Sequence, residues 1–397
     1  MQKPSLLIVL SRFPFPLEKG DKLRAYHQII ALSKHFDICL IAFSASDVKD
    51  EDLQEIHPYV TAMHILKYHK GNMVLKAIPK LLTTKLPLQV CLFASARMKL
   101  VVQKIADQFK PNLCYMQLAR IAELKPSGFP AVLDYQDAFS ENYKRSAATH
   151  KSFLWRKIFA IEAKRMAAYE QKVLSQFDVC TIISSADASV ISDNIKVVAN
   201  GVDTAFFSPR DQKRTYDIGF VGNLSYQPNV LATQYLVEKI LPILPANTKV
   251  LLAGAEPSTS VSALASTQVE VQAWLPDIRD AYANCKIFVA PLFAGAGMQN
   301  KILEAMSMGI PCVTTSLVAK GLGAQNGVHL LTAETEAQFL DAILKLQNDG
   351  ELCSKLTDNA SQLVHRNFSW EANTESLVKV LMDVSDKASN QQASTLL

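Results

Sequence analysis

Residues 289–306 read VAPLFAGAGMQNKILEAM, so that an apolar run passes through a loop of small residues into a helical pattern. We expect the helix to begin near Met298. Free backbone N–H groups at a helix start favour an anion, and glycine lets a phosphate approach the main chain closely. Lys301 would add a positive charge in the first turn, and Glu304 would lie one turn further along the same face. This segment therefore predicts a site for a phosphorylated ligand.

A plainer interpretation of the same segment is a tight turn in which Lys301 and Glu304 are solvated. Gly295 and Gly297 are not followed by a third glycine, so the dinucleotide-binding fingerprint is not met. A carboxylate at position 304 can, however, accept two hydroxyl hydrogen bonds, as from a ribose. The candidate ligand contacts here are Gly297, Met298, Gln299, Asn300, Lys301 and Glu304.

Short apolar runs like the one before this loop recur along the chain, separated by helical patterns. Most are continuously apolar, as expected for strands buried on both faces of a parallel sheet. Seven of them lie between Leu6–Leu10 and Lys196–Val198, and six lie between Tyr216–Val221 and His329–Leu331. Two such series predict two doubly wound α/β domains.

The junction between the two series lies near residues 200–213. Asn200-Gly201 favours a turn, and Pro209 followed by charged residues suits a linker. We predict a first domain over residues 1–205 and a second over 206–370. Residues 371–397 are expected to form a last helix and a loose tail.

Two more loops follow the first strand of each series. Gly222 and Asn223 come after Tyr216–Val221, and Gly20 and Arg24 come after Leu6–Leu10. Ligands of open α/β sheets bind at the carboxyl ends of the strands, where these loops would lie. Each domain would thus contribute a glycine loop to a cleft that grips a phosphorylated ligand. Ordinary strand-to-helix turns remain the alternative.

Composition narrows the class of protein. The chain has 397 residues, of which 49% are hydrophobic and 20% charged, so it is not disordered, collagenous or a coiled coil. The net charge of +4 gives no reason to expect nucleic acid as a partner. Seven cysteines without a CxxC pair predict free thiols in a reducing cytoplasm. Since Leu6–Leu10 is too short for a signal peptide and no run reaches about 18 apolar residues, we expect a cytoplasmic protein.

Three motifs together resemble the family 4 (group 1) glycosyltransferases. They are Gly20-Asp-Lys-x-Arg24, Asn200-Gly-Val-Asp203 and the segment quoted first, followed by Gly309–Val313. The resemblance runs from about Leu6 to Trp370, and it is greatest to the sugar transferases of bacterial exopolysaccharide and cell-surface polysaccharide synthesis. It implies the α/β GT-B fold, in which two Rossmann-like doubly wound domains face a central cleft. The first domain would be on the acceptor side, and the second would bind the nucleotide sugar.

The resemblance also implies roles for individual residues. Glu304 would bind the ribose of the nucleotide, Gly222 and Asn223 would lie beneath the pyrophosphate, and Gly20 would face the diphosphate from the first domain. The segment 274–277 (Trp-Leu-Pro-Asp) would lie beside the base.

Other implications concern the C-terminus and two departures from the family pattern. Phe368–Trp370 would mark the turn into a last helix that packs on the first domain. The family's first glutamate of Glu-x7-Glu, which often contacts the donor sugar, is replaced by Ala296. The Arg…Lys pair that often follows the Gly222 loop is missing, and Lys301 would supply that charge instead.

The expected activity is transfer of a sugar from a nucleotide diphosphate sugar to a hydroxyl of a glycan acceptor that is lipid-linked. Lys301 and the helix start would stabilise the leaving diphosphate. The resemblance implies retention of the anomeric configuration, and no metal or other cofactor is expected. The alternatives are a sugar-nucleotide epimerase on the same fold and, because of Ala296, a non-catalytic nucleotide-sugar-binding scaffold.

Acidic residues in the first domain offer one catalytic candidate. Asp137 follows a strand, where its carboxylate would orient or activate an acceptor hydroxyl, or would cap the next helix. Asp50 and Asp52 satisfy Asp-x-Asp, but their charged surroundings predict a solvated helix start rather than a metal site.

Basic charge is concentrated in the first domain, within residues 67–110 and 144–172. The second stretch also carries Phe153, Leu154, Trp155 and Ile158. Basic residues interleaved with aromatic and aliphatic ones suit an anionic membrane surface. We therefore expect peripheral contact with the inner face of the membrane, with a solvated basic helix as the alternative.

Overall fold

The computed structural model describes residues 3–17, 20–150, 152–293 and 299–395. The chain divides into two compact units. Unit 1 comprises Met1–Asn200 and Asn373–Leu397, and unit 2 comprises Gly201–Ala372.

Unit 1 is built on a seven-stranded sheet in which neighbouring strands are parallel. The strand order is β3-β2-β1-β4-β5-β6-β7. The strands are β1 (Ser5–Leu10), β2 (Asp37–Ser44), β3 (Ala62–Lys67), β4 (Leu113–Gln117), β5 (Ala131–Asp134), β6 (Val179–Ile182) and β7 (Lys196–Val197). The helices between them are α1 (Gly20–Ser33), α2 (Asp50–Ile56), α3 (Lys70–Thr83), α4 (Leu88–Phe93), α5 (Ala96–Phe109), α6 (Phe139–Thr149), α7 (Phe153–Leu174) and α8 (Ser185–Ile191).

Unit 2 has a six-stranded parallel sheet of order β10-β9-β8-β11-β12-β13. Its strands are β8 (Tyr216–Val221), β9 (Val250–Gly254), β10 (Val269–Ala273), β11 (Cys285–Ala290), β12 (Cys312–Thr314) and β13 (Leu331–Thr332). Its helices are α9 (Gln227–Tyr235), α10 (Thr259–Ser262), α11 (Ile278–Ala283), α12 (Asn300–Ser307), α13 (Ser316–Gly321), α14 (Glu336–Asn348) and α15 (Gly350–Asn367). The last helix, α16 (Trp370–Thr395), begins in unit 2 and continues in unit 1.

Burial on both faces explains the continuous apolar runs of the sequence. In β1, Leu7 and Val9 belong to one buried cluster, whereas Leu6, Ile8 and Leu10 belong to the cluster on the opposite face. Because successive side chains of a strand point to opposite faces, a strand covered on both sides favours apolar residues at consecutive positions. Every predicted strand overlaps an observed one, and the prediction of two parallel α/β sheets is confirmed.

The order of the strands reverses once in each sheet. In unit 1 the reversal lies between β1 and β4, and in unit 2 it lies between β8 and β11. At such a switch point the connections leave in opposite directions, so a crevice opens at the carboxyl ends of the two strands. The chain segments that leave β8 and β11, which lead to Gly222 and to Lys301, both start at the reversal of unit 2.

Candidate functional site

The loop after β8 meets the first turn of α12 at the switch point of unit 2. A Cβ atom built on Gly222, directly after β8, would be 3.1 Å from Cε of Lys301 and 3.0 Å from Nδ2 of Asn229. The Lys301 side chain therefore lies against the backbone of the Gly222 loop. The Lys301 ammonium and main chain without a side chain, at Gly222, lie together at the sheet edge, where both can contact an anionic ligand.

Two contacts with β9 hold the main chain at Gly222 in place. The Gly222 N–H donates to the carbonyl of Ala253 (3.0 Å). Gly254 has φ +143°, and a Cβ there would be 1.8 Å from the Gly222 carbonyl oxygen. Because no side chain fits at position 254, the two backbones can lie in direct contact.

Asn223 shapes the loop with its side chain. Its Oδ1 accepts hydrogen bonds from the backbone N–H groups of Ser225 (2.8 Å) and Tyr226 (3.1 Å). Its backbone carbonyl accepts from Nδ2 of Asn229 (2.8 Å). Asn223 is exposed, and its contact with a pyrophosphate stays a prediction.

Asn229, in the first turn of α9, is a residue that sequence analysis missed. It is 3% exposed, and its Oδ1 has no hydrogen-bond partner among the described residues. A buried acceptor without a partner is costly, by about 1–3 kcal/mol. This oxygen belongs to a side chain that packs against Gly222, so a buried acceptor without a partner lies next to the loop.

Lys301 is a largely buried lysine. Its Nζ donates to Oε1 of Gln299 (2.7 Å). Burial lowers the pKa of Lys301 to about 8, although the Glu304 carboxylate acts in the opposite direction. An approaching anion would favour the charged form again.

Glu304 lies one turn after Lys301 on α12, as expected. The phenolic O–H of Tyr282 donates to its Oε2 at 2.6 Å. Burial raises the pKa of Glu304, while the Tyr282 hydrogen bond and Lys301 lower it. Tyr282 is fully buried, so it binds the carboxylate from the protein interior. Glu304 itself is partly exposed and keeps access to solvent. No pattern in the sequence links Tyr282 to Glu304.

The remaining residues predicted at this loop are only in part described. Gln299 and Asn300 are partly exposed at the start of α12, which begins at Asn300. Gly297 and Met298 lie outside the described residues, as does Ala296.

Trp274 follows β10 at the same edge of the sheet. Its side chain is 79% exposed and its φ is +52°, a conformation that is rare for a bulky residue. Asp277, three residues later, accepts from the Arg279 backbone N–H (3.0 Å) and so caps α11. An exposed indole held by an unusual backbone is suited to stacking on a flat ligand.

In unit 1, the predicted site residues fall at different depths. Gly20 is the first residue of α1, is exposed, and has no atom within 4 Å of a built Cβ. Asp137 follows β5 and retains solvent contact, while partial desolvation and the neighbouring Asp187 raise its pKa. Both stand at the carboxyl edge of the unit 1 sheet, and their contact with ligand stays a prediction.

Arg24 does not line an open crevice as the sequence analysis expected. Its side chain is 0% exposed, and its Nε donates to Oδ2 of Asp134 at 2.7 Å. Nη1 donates to Oδ1 of Asn200 (2.8 Å), and Nη2 donates to the carbonyl of Val198 (2.9 Å). Since its donors are taken up inside unit 1, Arg24 ties α1 to the ends of β5 and β7.

A cavity of about 570 Å³ opens at the amino-terminal edge of the unit 2 sheet, away from the switch-point loops. Its lining includes Arg214, Asp217 and Lys286. Lys286 is paired with Asp217 at 2.9 Å, and of the three charges that of Arg214 is left over. Strand order favours the opposite edge for ligand binding.

The residues that the structure describes contain no group of three or more His, Cys, Asp or Glu side chains placed to hold a metal ion. Within the same residues, no helix is long and apolar enough to span a membrane.

Comparison with known proteins assigns the part of the chain that carries these loops. Residues 215–349 match the family model of Glycosyl transferases group 1. This segment is similar to the group 1 glycosyltransferases. It contains Gly222, Asn223, Lys301 and Glu304, together with Tyr282 behind the glutamate.

Solved structures extend the likeness to both units. HepE from Anabaena, in complex with UDP, superposes with a TM-score of 0.65 over 96% of this chain and 100% of HepE, at 14% identity. Sucrose-phosphate synthase from Thermosynechococcus elongatus gives 0.64 over 96% and 99%, at 11% identity. The chain therefore has the GT-B fold.

A curated relative is also a glycosyltransferase. A UDP-Gal:alpha-D-GlcNAc-diphosphoundecaprenol alpha-1,3-galactosyltransferase of Escherichia coli is 21% identical over 67% of this chain and 72% of its own length. The family match and the fold support glycosyltransferase activity with a nucleotide sugar.

Proposed function

We propose that this glycosyltransferase moves a sugar from a nucleotide diphosphate sugar to a hydroxyl of a glycan acceptor that is linked to a lipid. The observation that carries the proposal is the meeting of the Gly222 loop with Lys301 at the switch point of unit 2. Glu304 stands one turn further on, with a carboxylate oriented by Tyr282. The Gly222 backbone and Lys301 would thus contact a diphosphate, and Glu304, further along α12, would contact the ribose attached to it.

The donor would bind along this edge of the sheet. Glu304 accepts hydrogen bonds from the ribose hydroxyls, and Lys301 with the start of α12 holds the diphosphate. Trp274 stacks on the base. UDP sugars are the first probes, because UDP occurs in the HepE complex and UDP-galactose in the name of the Escherichia coli relative.

The chemistry is separation of charge at the donor. When the bond between the anomeric carbon and the diphosphate oxygen breaks, negative charge develops on the diphosphate, and Lys301 stabilises it. The acceptor hydroxyl attacks from the same face, so that the anomeric configuration is retained, and it passes its proton to a diphosphate oxygen. Asp137 in unit 1 orients that hydroxyl. No protein nucleophile and no metal ion take part in this scheme.

A lipid-linked acceptor is supported by the surface of α7. Five large apolar side chains on this helix are 36–69% exposed: Phe153, Leu154, Trp155, Ile158 and Ile161. Lys157 lies over the ring of Phe153 at 4.6 Å, and Arg156 is its neighbour in sequence. Apolar side chains flanked by basic ones suit the surface of an anionic membrane, where such an acceptor would reside. The Escherichia coli relative's name includes a diphosphoundecaprenol acceptor.

The experiment that tests the proposal begins with a thermal-shift screen of nucleotide sugars. Saturation at 100 times the dissociation constant should add about 2.7 kcal/mol of stability. The selected sugar is then incubated with lipid-linked glycans, and transfer, hydrolysis and epimerisation are separated by chromatography. Epimerisation, or binding without turnover, would contradict the proposed transfer.

Glu304→Ala tests the donor site directly. Loss of charge-assisted hydrogen bonds to the ribose should weaken nucleotide binding by about 1.5–3 kcal/mol. The matched control is Glu238→Ala, at an exposed glutamate of the same unit. Circular dichroism should show that both variants are folded. If they then bind the nucleotide with equal affinity, Glu304 does not belong to the donor site.

A further inference from the structure

A second charged cluster stands at the switch point of unit 1. Arg120, in the turn after β4, donates from Nε (3.0 Å) and Nη2 (2.7 Å) to Oγ of Ser11, which follows β1. Its Nη2 is also 3.3 Å from Oδ2 of Asp21, and Nε of Arg12 is 3.1 Å from the same oxygen. The loops after the two central strands of unit 1 are therefore joined by polar side chains.

This cluster has an excess of positive charge. Two guanidinium groups share one carboxylate, so one charge is left without a counterion within the cluster. The side chains of Arg120, Asp21 and Arg12 are 13%, 17% and 32% exposed. Burial and the nearby Arg12 lower the pKa of Arg120 to about 10, while Asp21 raises it. The neighbouring Arg24 is neutralised by its own partner, Asp134.

The backbone and an aromatic ring hold Arg120 in place. Leu118, two residues before it, has φ +72°, an outlier for a bulky residue, and its N–H donates to the Asp134 carbonyl at 2.7 Å. The Phe93 ring lies beneath the Arg120 guanidinium, 5.7 Å from its centroid. Strain of this kind persists where the surroundings over-determine it, and it concentrates at ligand sites.

We propose that Arg120, Arg12 and Ser11 bind the phosphate or diphosphate group of the acceptor. This inference rests on the proposed function, in which unit 1 receives a lipid-linked acceptor. Guanidinium groups form paired N–H···O bonds with phosphate oxygens, and a preorganised, partly desolvated pair binds more strongly than a solvated lysine would. Asp21 reduces the charge of the site and fixes the two arginines, so it would favour a phosphate group over weaker anions.

Inorganic pyrophosphate is the probe. It is titrated by calorimetry into protein that is already saturated with the nucleotide sugar selected by the thermal-shift screen, so that the donor site in unit 2 is filled. Arg12→Gln and Arg120→Gln should each weaken pyrophosphate binding by about tenfold or more, the scale of a charge-assisted hydrogen bond. Arg97→Gln, at an exposed arginine of the same unit, is the matched control and should bind as the wild type does. Because Arg12 is the more exposed of the two, its variant tests the site even if Arg120→Gln fails to fold.

A second titration decides whether the cluster binds a phosphate group of the acceptor or of the nucleotide-sugar donor. If the cluster serves the acceptor, Arg12→Gln leaves the affinity for the nucleotide sugar unchanged. A matching loss of nucleotide-sugar affinity would assign the cluster to the donor and overturn the acceptor site. Pyrophosphate affinity that is equal in Arg12→Gln and Arg97→Gln would also overturn it, while donor binding and transfer by the wild type would leave the proposed function intact.

Discussion

Nucleotide-sugar binding should weaken as pH rises through about 8, because Lys301 would lose its charge there. Burial lowers the pKa of Lys301 to about 8, so the ammonium is about nine-tenths populated at pH 7 and about one-tenth populated at pH 9. If the diphosphate requires the charged form, its affinity should fall about tenfold between these two pH values. A nucleotide diphosphate sugar has no phosphate group that titrates in this range, so the diphosphate is not the source of the change.

The same titration predicts uptake of a proton on binding. A bound diphosphate favours the ammonium, so the pKa of Lys301 rises in the complex and the complex binds more protons than the free protein. At pH 8.5 about three-quarters of the free protein carries neutral Lys301, so about three-quarters of a proton should be taken up per ligand. Calorimetry in two buffers of different ionisation enthalpy measures this number directly.

Three variants make the result specific. Lys301→Arg keeps its charge, so its affinity should be constant from pH 7 to 9. Lys301→Met should bind weakly at both pH values. Lys239→Met, at an exposed lysine of unit 2, should behave as the wild type. Affinity that is independent of pH in the wild type, with no proton uptake at pH 8.5, would refute the contact between Lys301 and the diphosphate.

Transferase activity should persist in excess EDTA, since the sequence offers no metal-ligand set; complete loss that Mg²⁺ or Mn²⁺ restores would point back to Asp50 and Asp52. The wild type should pellet with anionic vesicles at low salt, and high salt should release it, because each basic residue near such a surface contributes about 1 kcal/mol that salt screens. Arg156→Glu combined with Lys157→Glu should abolish pelleting at unchanged nucleotide affinity, and a wild type that ignores the vesicles would favour a soluble acceptor. Arg24→Met should lower the free energy of unfolding in urea by about 3–5 kcal/mol, because the buried Asp134 carboxylate loses its cationic partner. Arg24→Met with Asp134→Leu should recover most of that loss, and a single variant as stable as the wild type would show that Asp134 does not need the charge of Arg24.

The fold could be predicted because its physical signal is local. A strand covered on both faces favours consecutive apolar residues, as from Leu6 to Leu10 in β1, and this pattern can be identified without knowing its neighbours. Alternation of such runs with helices then limits the topology, since parallel strands need long connections. The place of the Gly222 and Lys301 loops followed from the same topology, because first strands and switch points go together.

What the sequence could not reveal depends on pairs that are distant in the chain. Arg24 and Asp134 are 110 residues apart, and nothing local distinguishes an arginine that faces solvent from one buried against a carboxylate. Tyr282 likewise reaches Glu304 from another helix. Such partners are set by packing, and packing decides whether a charged residue near a sheet edge binds a ligand or holds the fold together.

The path of α16 has a consequence for the synthesis of this protein. Leu377, Leu381 and Val384, close to the C-terminus, are buried in the same cluster of unit 1 as Leu6 and Ile8 of the first strand. A ribosome adds roughly 5–20 residues per second, so on the order of ten to forty seconds pass between the synthesis of Asn200 and that of the α16 residues that complete this cluster. During that interval one apolar face of the first sheet lacks its final cover, which is the kind of surface that chaperones hold. Removing α16 would make that transient exposure permanent. Residues 1–200 expressed alone should therefore be prone to aggregation, whereas unit 2 expressed alone keeps the cover of its own sheet.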